Sequence, residues 1–301
     1  MANGESEGAA GVDALPDGAL VEPLSDEWGY YIRSTRCLER RMTAYQSIEV
    51  HDTVALGRLY RLDGHFMTSE RDECFYHENL VHLSAIVHPG PRRALIVGGG
   101  DGGSAKELLK YPTIEAVALC EIDAAVIELS RRYLGSVHRG ALDDTRVTVQ
   151  VGDGLAYMRS GDDLFDLIVL DLTDPGGPSL PLYTEGFYRD CARRLAPGGA
   201  MTLHVASPVA HPERVRECLA PLHAAFPRVT PYLASIPLYG GLWMMACASV
   251  QLDPSALSSA EVDRRLTERR ITDLRYYNGD MHRAALALPN FVRDLLPSGE
   301  R

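Results

Sequence analysis

Residues 95–103 read LIVGGGDGG, and this stretch decides the fold of the 301-residue chain. Three apolar residues run into five glycines that only Asp101 interrupts, and the residues after Gly103 read as a helix. This order predicts a buried parallel strand, a tight turn and a helix start, which together open a nucleotide-binding βαβ unit. Glycine suits such a turn because its backbone bends sharply and can lie against a ligand with no Cβ between them.

A second apolar run follows the glycine stretch and ends at Glu121, 18 residues after Gly103. A carboxylate at the tip of the second strand is where a ribose diol is usually held in nucleotide-binding folds. The alternative is a glycine-rich turn with an incidental acid, and the paired strand and carboxylate argue against it.

Asp101 bears on the class of nucleoside ligand. Nicotinamide dinucleotides and ligands of the S-adenosylmethionine type share this loop geometry. A carboxylate inside the loop would repel a pyrophosphate and attract a sulfonium or an ammonium group. The loop therefore favours a positively charged nucleoside.

The composition excludes several partners. The chain carries 41 acidic and 30 basic residues, a net charge of −11, which argues against binding nucleic acid or an anionic membrane. The longest apolar runs are too short to span a bilayer, and the N-terminus lacks the features of a signal peptide. The six cysteines form no CxxC pair, which favours a reducing cytoplasm.

The chain divides into three predicted parts. Residues 1–24 are rich in small, acidic and proline residues and are expected to form a mobile tail. Residues 25–70 alternate apolar and polar positions and include Asp63-Gly64, a turn signal, so they predict a small antiparallel β-hairpin domain. Such hairpins bury little alone and must pack on the main domain or on another subunit.

Residues 71–301 predict the catalytic domain. A helix over 71–87 precedes the glycine stretch, and strands then alternate with helices as far as a helix at 212–225. This alternation predicts an α/β fold with a doubly wound, Rossmann-like parallel sheet. Residues 229–234 and 243–249 are expected to form an antiparallel edge pair. His77 and His82 are five residues apart, which does not suit two zinc ligands on one helix face, so no metal is expected.

Carboxylates follow four successive strands. In an open α/β sheet the ligand lies across the carboxyl ends of the strands. Helix capping could explain any one of these acids, but four strand tips on one edge point to a cleft. These loops contain no lysine or arginine, so the balancing cations are expected to come from ligands. The acids are Asp101, Glu121, Asp123, Asp153, Asp171 and Asp174.

The motif set resembles the spermidine synthase family of aminopropyltransferases over nearly the whole chain. The central motifs are GGGDGG at 98–103, CEID at 120–123, GDG at 152–154 and DLTDPGGP at 171–178. Flanking motifs are LDG at 62–64, ERDECFYHE at 70–78, IPLYGGLW at 236–243 and the run at 274–296.

The resemblance implies transfer of the aminopropyl group of decarboxylated S-adenosylmethionine to an amine, with release of 5′-methylthioadenosine. It assigns the general base to Asp171, the aminopropyl ammonium to Asp101, the ribose to Glu121 and the adenine amino group to Asp153. The acceptor would be held by Tyr76, His77, Asp174 and Tyr239. The co-substrate site would be completed by Gln46, Gly98, Gly100, Gly102, Asp123 and Gly154. The family's small N-terminal domain is an oligomerisation element, so a homodimer or homotetramer is expected.

Several residues depart from the family pattern on the acceptor side. They are Met67, Leu172, His204, Ala206, Leu238 and Gly240. Putrescine is the expected acceptor, and cadaverine, spermidine and agmatine are alternatives. The departures suggest a looser acceptor pocket that tolerates longer or differently spaced amines.

Other functions remain open on this fold: a methyltransferase, an NAD-linked oxidoreductase and a binding homologue without turnover. Asp101 argues against intact S-adenosylmethionine, because it would face the amino acid carboxylate, and against NAD. The intact pair of Asp171 and Asp174 argues against a homologue without turnover.

Overall fold

The structure, a computed structural model, describes residues 15–297. Its N-terminal part is a five-stranded antiparallel sheet in chain order. The strands are β1 (Ala19–Pro23), β2 (Gly29–Met42), β3 (Ser47–Thr53), β4 (Gly57–Leu62) and β5 (His65–Ser69). Asp63 and Gly64 have φ of 49° and 84° and join β4 to β5, so the predicted hairpin turn is confirmed.

The prediction that residues 1–24 form a mobile tail is wrong for β1. Leu20 and Val21 pair with residues of β2, and backbone hydrogen bonding to that strand orders a segment whose composition suggested disorder. Residues 1–14 of the predicted tail lie outside the described residues.

The larger sheet has seven strands in the order β11-β12-β10-β9-β6-β7-β8. Strands β6 to β10 run parallel, and β12 is antiparallel to both β10 and β11. The strands are β6 (Arg93–Gly98), β7 (Ala116–Glu121), β8 (Val147–Val151), β9 (Phe165–Asp171), β10 (Leu195–Ala206), β11 (Arg228–Ile236) and β12 (Gly241–Ser249). The predicted doubly wound sheet and its antiparallel pair are confirmed; β11 forms the edge, and β12 lies inside it.

Helices cover both faces of this sheet. They are α1 (Glu73–Ala85), α2 (Gly103–Leu109), α3 (Ala124–Tyr133), α4 (Gly135–His138), α5 (Gly154–Ser160), α6 (Glu185–Arg194), α7 (Pro212–Ala225), α8 (Ser259–Glu268), α9 (Gly279–Ala285) and α10 (Asn290–Arg293). Along β6, Ala94 and Ile96 pack in one apolar cluster, whereas Leu95 and Val97 pack in the other. A strand buried on both faces explains why residues 95–97 are continuously apolar.

The N-terminal sheet packs directly on the main domain. Ile48, Val50 and Tyr60 share an apolar cluster with Val126 and Leu129 of α3. The small sheet therefore completes its core against the helix that follows β7, which fixes it beside the carboxyl ends of the parallel strands. Among residues 15–297, no helix is long and apolar enough to cross a membrane.

Candidate active site

A cleft lies where the order of the parallel strands reverses. Strand β7 lies on one side of β6 and β9 lies on the other, so the loops after β6 and β9 separate and leave a crevice. The N-terminal sheet closes the opposite wall. Predicted site residues that line the cleft are Gln46, Tyr76, His77, Gly98, Gly100, Asp101, Glu121, Asp153, Gly154, Asp171 and Tyr239.

The glycine loop is held tightly against its neighbours. Gly98 has φ of +80°, and a Cβ there would lie 2.2 Å from the carbonyl oxygen of Asp171. A Cβ on Gly103 would lie 2.2 Å from the His77 ring. Both positions require glycine, since a side chain would force the loop away from β9 and α1. Gly102 lies outside the cleft, at the start of α2 beside His138.

Asp101 forms an ion pair with His77 inside the cleft. The Nε2 atom of His77 is 3.3 Å from Asp101 Oδ2, and its Nδ1 atom is 3.1 Å from Glu73 Oε2. Burial alone would lower the pKa of His77, but the two carboxylates raise it well above its ordinary value. Burial would raise the pKa of Asp101, yet His77 and the Gly103 N–H hold it below its usual range. The pair is therefore an imidazolium and a carboxylate.

A buried chain of charges continues behind His77. Glu73 accepts from Lys106 Nζ at 2.7 Å, and Lys106 lies 3.0 Å from Glu107. Glu107 in turn pairs with Lys110 at 2.8 Å and with His82 at 2.7 Å. The prediction that only ligands supply cations is wrong here, because the lysines come from α2 and its end rather than from the strand-tip loops.

Asp171 has the properties expected of a proton acceptor. Burial and the nearby Asp101 raise its pKa, although His77 and hydrogen bonds from Ser104 and Tyr76 oppose the shift. The Ser104 hydroxyl donates to Asp171 Oδ2 at 2.6 Å, which fixes the carboxylate. A carboxylate with a raised pKa accepts a proton more readily than an exposed one.

Glu121 lines the cleft at the end of β7. Burial raises its pKa to about 7, against an opposing hydrogen bond from the Asp123 N–H at 2.9 Å. Asp153 also lines the cleft and accepts from the Leu155 N–H at 2.8 Å, capping α5. Asp153 therefore caps α5 and lines the cleft at the same time.

Asp123 is buried and does not line the cleft, and its contact with the co-substrate stays a prediction. One carboxylate oxygen caps α3 through the Ala125 N–H at 3.0 Å. The other accepts from Thr43 Oγ1 at 2.7 Å and from Gln46 Nε2 at 3.3 Å. Asp123 therefore positions Gln46, which does line the cleft.

Two aromatic side chains, Tyr76 and Tyr239, line one part of the cleft. The rings of Tyr76 and Tyr239 lie 5.5 Å apart, edge to face, and the Tyr239 hydroxyl donates to the Met67 carbonyl at 2.8 Å. Asp174 lies outside the cleft lining. Its Oδ2 atom is 2.8 Å from Arg214 Nη1, so a protein cation already pairs with the carboxylate that the family resemblance assigned to the acceptor.

The departures from the family pattern contribute unequally. Met67 and Leu172 line the cleft. Leu238 packs in an apolar cluster and Ala206 lies in the core of the main domain, whereas Gly240 contacts Leu24. His204 is buried behind Tyr76 and is 3.0 Å from the Tyr183 hydroxyl. Four of these six residues therefore do not line the cleft, and the looser acceptor pocket stays a prediction.

Three residues near the site were missed from the sequence. Ser104 follows the glycine loop directly, and a polar residue at that helix start was an available signal. Lys106 lies one turn into α2, where a charged residue on a predicted buried face could have been noticed. Arg214 is 40 residues from Asp174 in sequence and carries no local signal.

Among residues 15–297, His77, Asp101 and Asp171 bring possible metal-ligating atoms within 4.8 Å of one another. Both ring nitrogens of His77 already lie beside carboxylates. The two carboxylates of this group, Asp101 and Asp171, can also accept hydrogen bonds from an alkylammonium ion. The expectation that no metal binds stays a prediction.

Comparisons with known proteins agree on one family. The family model described as "Spermine/spermidine synthase domain" matches residues 73–256. A polyamine aminopropyltransferase of Nitrosomonas europaea is 50% identical over 94% of this chain and 87% of its own length. One of Moorella thermoacetica is 39% identical over 89% of this chain and 93% of its own.

Solved structures give the same result. A spermidine synthase crystallised with the transition-state analogue AdoDATO has a TM-score of 0.86 at 33% identity. The match covers 92% of this chain and 94% of the crystallised chain. The spermidine synthase from Thermotoga maritima has a TM-score of 0.85 at 33% identity, and the match covers 92% of this chain and 93% of the Thermotoga chain.

Proposed function

The chain belongs to the spermine/spermidine synthase family, and from this premise we propose that it transfers the aminopropyl group of decarboxylated S-adenosylmethionine to putrescine. The observation that carries the proposal is the convergence of Asp101 and Asp171 on one point of a cleft whose other end holds Glu121. The solved relative with AdoDATO supports a co-substrate of this kind.

The co-substrate lies along the glycine loop. Glu121 accepts from the ribose hydroxyls, Asp153 accepts from the adenine amino group, and Asp101 pairs with the aminopropyl ammonium. These three carboxylates lie at the ends of three parallel strands, so they space the three parts of the ligand along one edge of the sheet. Glu121 binds as the carboxylate, and its raised pKa makes binding dependent on pH near neutrality.

Asp171 removes a proton from the acceptor ammonium. The free amine nitrogen attacks the aminopropyl carbon beside the sulfonium, a C–N bond forms, and the C–S bond breaks. The electron pair of that bond returns to sulfur, which leaves as the neutral thioether of 5′-methylthioadenosine. Ser104 holds the Asp171 carboxylate, and Tyr76 and Tyr239 guide the methylene chain of the amine.

Other acceptors remain alternatives to putrescine: cadaverine, spermidine and agmatine. A methyltransferase is a less favoured function, because intact S-adenosylmethionine would bring its carboxylate next to Asp101. A homologue without turnover is disfavoured because Asp171 keeps the contacts that a base requires. No nucleic acid or membrane partner is proposed, in keeping with the net charge of −11.

The test incubates the protein with decarboxylated S-adenosylmethionine and each of these amines, and follows methylthioadenosine by chromatography. Turnover with a diamine is expected. Intact S-adenosylmethionine and a metal chelator serve as controls; the first should support no transfer and the second should leave the rate unchanged. Methyl transfer from intact S-adenosylmethionine would overturn the proposal.

We also propose a homodimer or homotetramer in the cytoplasm. Val21 and Tyr31 pair across β1 and β2, and their side chains are exposed beside exposed Trp28. An apolar group of this kind on the outer strands suits contact with a second copy of the chain. The six cysteines are free thiols, which is consistent with a reducing compartment.

A further inference from the structure

Asp174 and Arg214 form an ion pair beside the cleft, next to residues that line it. Asp174 lies three residues beyond Asp171, in the loop that follows β9, and the Ser179 hydroxyl donates to its carbonyl at 2.7 Å. Arg214 lies in the first turn of α7, and its Nη1 atom is 2.8 Å from Asp174 Oδ2. Both ends of the pair are therefore attached to ordered backbone.

The Asp174 carboxylate lies next to residues that line the cleft. Thr173 precedes it and Ser179 donates to its carbonyl, and both line the cleft. Its Oδ1 atom is also 3.8 Å from Nδ1 of His204, whose ring lies 6.2 Å from that of Tyr76. An unpaired carboxylate beside the cleft, three residues along the chain from Asp171, would attract the far ammonium of a diamine whose near nitrogen lies at Asp171. Arg214 occupies that carboxylate instead.

We propose that Arg214 determines acceptor specificity by competing with the far ammonium of the acceptor for Asp174. This inference rests on the proposed function. In the free enzyme Arg214 neutralises Asp174, so a second positive charge on the amine gains little attraction there. Arg214 thus lowers the preference of the site for diamines over monoamines.

The pair can open at small cost. Its side chains are 32% exposed for Arg214 and 43% exposed for Asp174, and ion pairs of such exposure contribute little to stability. The neighbouring Val215 and Leu219 are fully buried, so α7 stays in place when the arginine side chain moves. Removing the guanidinium should therefore change acceptor recognition without unfolding the helix.

The experiment measures acceptor binding by calorimetry, with the protein saturated with methylthioadenosine. Putrescine is compared with butylamine, which has the same carbon chain and one ammonium. Arg214→Met should tighten putrescine binding about fivefold and leave butylamine unchanged. The gain should shrink in high salt, because exposed charges are screened.

Two matched variants control the result. Arg216→Met removes an equal charge from an exposed position on the same helix and should leave both dissociation constants unchanged. Arg214→Lys keeps a cation near Asp174 and should retain much of the wild-type ratio of putrescine to butylamine affinity. Thermal unfolding of each variant verifies that α7 remains folded.

Weaker putrescine binding in Arg214→Met would overturn the proposal, since it would mean that Arg214 only orients Asp174. Equal gains for putrescine and butylamine would also overturn it. The experiment measures binding and does not depend on turnover. If the wild type forms no methylthioadenosine, the proposed function is contradicted, but the competition for Asp174 can still be measured.

Discussion

Gly98 at the end of β6 pairs with Asp171 at the end of β9, and a Cβ on Gly98 would lie 2.2 Å from the Asp171 carbonyl oxygen. The proposed base and the glycine loop are therefore in backbone contact across the point where the sheet order reverses. The next residue, Gly99, donates its N–H to the same carbonyl at 2.8 Å. The position of the base is thus set by backbone packing.

Gly98→Ala should disrupt this contact. The change combines a positive φ of +80° with a backbone clash, so both turnover and the free energy of unfolding should fall sharply. Gly140→Ala is the matched control, because Gly140 has φ of +85° with nothing within 4 Å of a Cβ. Its cost should be limited to backbone strain, about 1–2 kcal/mol. Equal losses of stability in denaturant unfolding would show that the clash has no effect.

Asp171→Asn should reduce kcat by roughly two to four orders of magnitude while methylthioadenosine binding persists. The amide keeps the shape of the carboxylate but cannot accept the amine proton. Because burial raises the pKa of Asp171, kcat of the wild type at saturating co-substrate should fall as the pH is lowered from neutral, as the base becomes protonated. The variant should lose this acid limb. Near-normal turnover of Asp171→Asn at pH 7 would contradict the role.

Asp101 and Glu121 should differ in the part of the co-substrate that they recognise. Asp101→Asn should weaken the binding of decarboxylated S-adenosylmethionine about ten- to hundredfold, which is the effect of losing one charged hydrogen bond. It should spare methylthioadenosine, which lacks the aminopropyl group. Glu121→Gln should weaken the binding of both ligands, because both carry the ribose. Calorimetric titration of the two ligands against the two variants tests this pattern, and equal loss for both ligands in Asp101→Asn would contradict it.

Glu121→Gln should stabilise the unliganded protein at high pH. The carboxyl pKa is about 7 in the folded state and 4.5 as its ordinary value, so the folded protein holds the proton more tightly. The stability of the wild type therefore declines as the pH rises from about 4.5 to about 7 and is level above that range, a total of about 3 kcal/mol. The neutral glutamine lacks this decline. Urea unfolding at pH 4.5 and pH 8 measures this decline in the free energy of unfolding. Glu217→Gln, at an exposed position, is the control.

The oligomer should depend on the outer strands of the N-terminal sheet. Replacing both Val21 and Tyr31 with glutamate puts like charges on the exposed pair and should shift the protein toward monomer in light scattering. Val250→Glu changes an equally apolar exposed residue elsewhere and should have no effect. A wild type that is monomeric at micromolar concentration would contradict the proposed assembly.

Local patterns predicted the parts of the molecule that local rules govern. The strand, turn and helix around Gly98 follow from a few adjacent residues. Glu121 follows from its place at the end of the next apolar run. The ion pair between Asp174 and Arg214 joins residues 40 positions apart, so no pattern along the chain could predict it. Strand β1 was missed for a similar reason, since its order depends on backbone pairing with β2 rather than on its own composition.

Asp123 joins the two sheets through its hydrogen bonds to Thr43 and Gln46. The consequence concerns chimeras made by exchanging N-terminal modules between relatives. A grafted module that lacks these two donors would leave Asp123 Oδ2 without hydrogen-bond donors, and Gln46 would lose the contact that positions it in the wall of the cleft. Successful recombination therefore requires that residues 43 and 46 be inherited together with the acid at position 123, although the breakpoint between the modules lies far from all three in sequence.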